Sequence, residues 1–114
     1  MTYGPGNTAQ TIREVQREVH RIAKEHGWWD EPCNSGECIA LIHSELSEAL
    51  EALRHGRPAS VHIPLIGLLE EELADVIIRV LDFAEGKDLA VAEALVAKIE
   101  FNRGRPYKHG GKKF

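Results

Sequence analysis

The sequence predicts an all-α domain of four main helices, and three observations predict it. Apolar residues recur at three- and four-residue spacing in four separate segments, the mark of helices with one core-facing stripe. Glycine or proline closes each segment, at Gly27, Gly56, Gly86, Gly104 and Pro106, where chains commonly leave a helix. No segment alternates polar and apolar residues with the period of a half-buried strand. A chain of 114 residues is expected to be a single domain, 1–114. Such a chain buries roughly 65% of the surface its unfolded form exposes, enough for one core.

The first helix is expected from about Thr8 to His26, with Ile12, Val15, Val19, Ile22 and Ala23 as its stripe and residues 1–7 irregular before it. Trp28 to Ser35 reads as a loop, with Pro32 and Asn34 as turn signals. Ser35 then caps a second helix that runs to about His55, its stripe being Ile39, Ile42, Leu46, Ala49, Leu50 and Leu53. After a loop over 56–63, the third helix is expected near Pro64, a residue tolerated in a first turn. It continues through Leu69, Leu73, Val76, Ile77, Val80 and Ala84 to Gly86. Asp88 is expected to cap the fourth, with Leu89, Ala92, Leu95, Val96 and Ile99 buried. The last residues, 107–114, are expected to be flexible.

Composition narrows the class. With 43% hydrophobic and 28% charged residues the chain matches an ordinary globular protein. Its apolar runs are too short to span a membrane, and its first residues lack the pattern of a signal peptide. A cytoplasmic location without membrane contact is the expectation. Cys33 and Cys38 are too few for a disulfide framework and are expected as reduced thiols. With His43 they make three of the four ligands that a structural zinc site needs. The net charge of −4 conceals a division, because every acid lies at or before Glu100. Beyond it come Arg103, Arg105, Lys108, Lys112 and Lys113, a tail suited to phosphate, nucleic acid or the domain's own acidic face.

Two acidic signatures carry the chemistry, Glu45-Leu46-Ser47-Glu48 and Glu72-Leu73-Ala74-Asp75. Each sets two carboxylates three residues apart, neighbours on one helix face. Each pair stands on the same side of its helix's apolar stripe. If the two helices pack through those stripes, four carboxylates converge at one edge of the contact. Without a cation they repel one another and resist ionisation; oxygen ligands in that number suit magnesium, with manganese able to substitute. A di-iron bundle would require Glu-x-x-His on two helices, and no Glu here has a His three residues later. Single pairs of this kind more often simply face water.

A phosphate-binding half can be read downstream. Lys98 and Asn102 are four apart on the fourth helix, and Arg103 and Arg105 follow. Lys98 and an arginine suit phosphate oxygens, and Asn102 suits a sugar or base edge. The plainer reading is a solvated helix end, where cations favour the dipole. Trp28 and Trp29 divide in the same way, between closing the core and stacking on a nucleobase.

Taken together, these segments resemble the MazG-like all-α nucleoside triphosphate pyrophosphohydrolases, a superfamily that includes the dimeric dUTPases and the phosphoribosyl-ATP pyrophosphohydrolases. The resemblance covers roughly residues 8–114 and rests on E-x-x-E at Glu45 and Glu48, E-x-x-D at Glu72 and Asp75, and the closing KIEFNRGRPYKHGGKKF. It implies cleavage of a nucleoside triphosphate, ribo or deoxy, into monophosphate and pyrophosphate, as house-cleaning of non-canonical or surplus nucleotides. It implies magnesium on Glu45, Glu48, Glu72 and Asp75, with Glu45 or Glu48 free to act on the attacking water. It implies phosphate or sugar contacts from Lys98, Asn102 and Arg105, a base pocket at Trp28 or Trp29, and a homodimer or homotetramer that completes the core.

Two alternatives stay open on the sequence. One is phosphoribosyl-ATP hydrolysis by the same acids. The other is a non-catalytic helical module that binds nucleotide or nucleic acid, which leaves four matched acids without a purpose and makes nucleic acid the less expected partner.

Overall fold

The computed structural model describes residues 5–114, which form five helices and, among the described residues, no strand. They are α1 (Pro5–Glu25), α2 (Ser35–Arg54), α3 (Leu68–Gly86), α4 (Val91–Arg103) and a short turn, α5 (Lys108–Gly111). The third helix is central: it packs against both α1 and α2, while α4 packs on α1. No described helix is long and apolar enough to cross a membrane.

The ends follow local chemistry. Gly27 and Gly56 close α1 and α2 with left-handed φ values of 85° and 81°. Asn34, rather than Ser35, caps α2, its side chain accepting from the Glu37 amide at 3.1 Å. The third helix starts at Leu68, four residues beyond Pro64. Its start is fixed where the Glu70 carboxylate accepts from the Gly67 amide at 3.1 Å. Pro64 stays in a loop whose next residue, Leu65, has a φ of 66°. Ser60 pins that loop to α3, accepting from the amides of His62 and Ile63 and donating to Glu71.

Other boundaries also moved. Of the segment 1–7 expected to be irregular, 1–4 lie outside the described residues and Pro5–Asn7 belong to α1. Asp88 does not cap α4: it has a φ of 55° and its amide donates back to Glu85, closing α3 instead. Ala90 precedes α4 without a side-chain cap. The tail around α5 is exposed throughout.

The inward faces differ from the expected stripes. On α2 the buried residues are Glu45, Ala49 and Ala52, so α2 meets α3 through small side chains and a carboxylate. Leu46, Leu50 and Leu53 remain 46–53% exposed, and Leu73 and Ile77 on α3 are 44% and 59% exposed. Along α1, Ala9 and Gln16 are buried while Val15 and Ile22 are about half exposed; Gln16 donates to Glu85 at 2.9 Å. Only Ala92 and Val96 of the α4 stripe are buried. Each half-exposed Leu or Ile leaves about 1 kcal/mol of burial unrealised.

Cys33 and Cys38 are joined as a disulfide, where reduced thiols were expected. They flank the Asn34 cap, so the turn into α2 brings them together. The pairing uses both sulfurs and removes the zinc reading with His43.

Beside that turn, Trp29 lies over Gly86, where any Cβ would collide with the six-membered ring of the indole. Gly86→Ala is expected to lower stability by about 1–3 kcal/mol through overpacking, read from urea unfolding. A variant as stable as the unaltered chain would contradict this close approach.

Candidate metal centre and cleft

The site is built on one face of α3. Glu72, Asp75, Arg79 and Asp82 recur at spacings of three, four and three, so they form a single stripe along the helix. This stripe faces α2 at one end and the Trp28–Trp29 loop at the other.

At the α2 end, Glu45, Glu72 and Asp75 each bring a carboxylate oxygen to within 4.8 Å of the others. Glu48 is exposed and stands close enough to hydrogen-bond the neutral form of Glu72. Burial pushes the Glu72 carboxyl up to about 7, and Glu48, Asp75 and Glu45 push in the same direction. Asp75 is also raised, first by burial and then by the charge of Glu45, against the lowering effect of Arg79. One oxygen of Glu72 is buried and accepts no hydrogen bond among the described residues. The donor set fits a hard divalent cation: converging oxygens alone, one without a partner, and charges that repel in its absence. Glu45, Glu72 and Asp75 would hold it, with Glu48 alongside.

A cleft of about 500 Å³ opens beside these acids, of the size that takes small ligands. Glu45, Asp75 and Arg79 line it, as do Trp28, Trp29 and apolar groups including Ile22, Leu41 and Ile78. The two tryptophans separate cleanly. Trp29 donates its Nε1–H to Asp82, 2.9 and 3.1 Å from the two carboxylate oxygens. His20 Nδ1 is 2.8 Å from the same carboxylate, and its ring meets Trp29 edge-on with centroids 4.9 Å apart. Trp29 is therefore a fixed wall. Trp28 is 77% exposed at the rim and free to stack on a planar ligand.

Lys98, Asn102 and Arg105 are not brought to this cleft within one chain. Lys98 and Asn102 are exposed on α4, and Lys98 Nζ and the Arg105 guanidinium lie 4.7 and 5.5 Å from the centre of the Phe101 ring. Arg79, Asp82 and His20 were missing from the sequence reading. The spacing of the α3 stripe was the signal that could have found the first two. Nothing local marks His20, which reaches Asp82 only through the packing of α1 on α3.

Glu72 has a pH signature. Its carboxyl is raised on folding, so its contribution to stability is full below about 4.5 and is lost as pH rises through about 7. The metal-free chain should therefore lose thermal stability between pH 5 and 8, and Glu72→Gln should flatten that decline. An equal decline in both proteins, measured by circular dichroism in EDTA, would contradict the assignment.

Comparison of the chain with protein-family models, with curated proteins and with solved structures finds no match. The functional reading accordingly rests on the residues and their geometry.

Proposed function

We propose that this chain is a MazG-like, magnesium-dependent nucleoside triphosphate pyrophosphohydrolase that releases pyrophosphate and a nucleoside monophosphate. The observation that carries the reading is the convergence of Glu45, Glu72 and Asp75 beside a cleft rimmed by Trp28. Asp75 and Asp82 are two helical turns apart, about 10 Å. Phosphates near Asp75 and a base near Trp28 then occupy one continuous cleft.

Bound magnesium would neutralise phosphate charge and acidify nearby water. The chain's own groups supply the rest. Glu45, Glu72 and Asp75 would hold that ion at the edge of the cleft. Glu48 orients the attacking water and accepts its proton; its exposure and its position outside the three-oxygen convergence support that role. Trp28 stacks on the base, and Trp29, fixed by Asp82 and Gly86, keeps the cleft's far wall in place.

The reading includes a homo-oligomer, a four-helix bundle whose core a second copy completes. The described chain exposes 8633 Å², against about 6,200 Å² for a compact monomer of its mass. Its Cα radius of gyration is 16.5 Å, against about 13 Å for a closed domain of this length. The half-exposed leucines of α2 and the neighbouring Leu73 and Ile77 supply an apolar face for that contact. A partner's α4 and the turn after it would then bring Lys98, Asn102 and Arg105 to the phosphates.

Two tests follow from this reading. A panel of ribo- and deoxynucleoside triphosphates should yield pyrophosphate and matching monophosphate with magnesium and nothing with EDTA. Glu72→Gln should reduce that rate by at least about 100-fold while the circular dichroism spectrum is kept; a fully active variant contradicts the site. Light scattering should give a dimer or tetramer, and Leu50→Glu should shift it towards monomer. A monomeric unaltered chain would remove the shared-core reading.

A further inference from the structure

Arg79 is the cation bonded to the acid cluster among the described residues. Its Nε donates to Glu45 Oε1 at 2.8 Å, and no other hydrogen bond to it is seen among the described residues. Its side chain is 43% exposed and lines the cleft, whereas that of Glu45 is only 12% exposed. The guanidinium is therefore held at one point and open to solvent elsewhere. Asp82, the next acid along the stripe, is already engaged by Trp29 and His20 and does not compete for it.

We infer that Arg79 is a built-in counter-ion with two positions, one on Glu45 in the metal-free chain and one on the phosphate chain of bound nucleotide. The inference rests on the proposed function and adds to it a residue that ties metal loading to substrate capture. A divalent ion sits about 2.1 Å from its carboxylate ligands, so an ion taking Glu45 Oε1 competes directly with the guanidinium for that oxygen. Two cations at such separation repel, and the solvent-exposed one is free to leave. The freed guanidinium remains tethered to α3 one turn beyond Asp75. It presents a planar fork of N–H donors to the cleft, the geometry that suits phosphate oxygens. In the metal-free chain the same group lowers the cost of gathering the carboxylates. In the loaded chain it adds a positive charge on the substrate side of the metal.

The two positions predict opposite effects of one substitution. Manganese binding to the whole chain without nucleotide, followed by electron paramagnetic resonance, should be about five-fold tighter in Arg79→Gln, because a competitor for Glu45 is gone. Binding of a non-hydrolysable deoxynucleoside triphosphate analogue in magnesium should be roughly ten-fold weaker, because a charged phosphate contact is gone. Arg79→Lys, which keeps the charge and loses the fork, should hold manganese like the unaltered chain and recover part of the analogue affinity. It also serves as the folded control if Arg79→Gln is unstable. Affinities that do not move in opposite directions in Arg79→Gln overturn the role of Arg79 and leave the proposed function standing. Absence of manganese binding by the unaltered chain, unchanged by Glu72→Gln, overturns both.

Discussion

The contact between α2 and α3 is organised by a repulsion. Three carboxylates converge where two helices meet, with Glu48 beside them, and one of them, Glu72, has a buried oxygen without a partner among the described residues. Helix packing ordinarily excludes such an arrangement, since buried unpaired charge is among the costliest features a fold can carry. Here three devices keep it tolerable. Glu72 holds its proton to about pH 7, Glu48 can bond the neutral form, and Arg79 neutralises Glu45 from the cleft side.

The rest of the architecture serves that arrangement. Ala49 and Ala52 let α2 approach α3 closely enough for the acids to meet. Leu46, Leu50 and Leu53 of α2 are turned outward and stand about half exposed. One turn after another along α3, the same stripe supplies Glu72 and Asp75, then Arg79, then the Asp82 anchor of the tryptophan loop. Site and cleft therefore share one rigid element, and the distance between them is set by helical rise rather than by loop conformation.

Much of this was legible in the chain, and the reason is locality. The all-helical class, the stops at Gly27 and Gly56 and the paired acids depend on residues within one or two turns; the short α5, within a tail expected to be flexible, was not foreseen. The direction of each helix's inner face depends on neighbours far away in sequence, and there the stripe of α2 misled: Glu45, Ala49 and Ala52 face inward while Leu46, Leu50 and Leu53 stand about half exposed. Asp88 looked like a cap because Asp favours caps, yet the chain uses it in a left-handed turn that ends the previous helix. Arg79 was overlooked because a lone arginine on a helix is solvent-facing by default, and only the carboxylate across the α2–α3 contact gives it a task. The Cys33–Cys38 pairing depends on the turn at Asn34, which spacing alone does not reveal.

The adjacent tryptophans differ in surroundings far more than their neighbouring positions imply. Trp29 has its indole N–H engaged by a carboxylate and its ring pressed on backbone at Gly86, while Trp28 stands 77% exposed. Their intrinsic emission is thereby divided in two. Trp28, standing in water, is expected to contribute a red-shifted, readily quenched component. Trp29 contributes a shielded component governed by whether α1, α3 and the connecting loop are still assembled. Single replacements of either ring by phenylalanine would leave one optical signal for the cleft rim and another for the assembly of α1 and α3, both native to the chain.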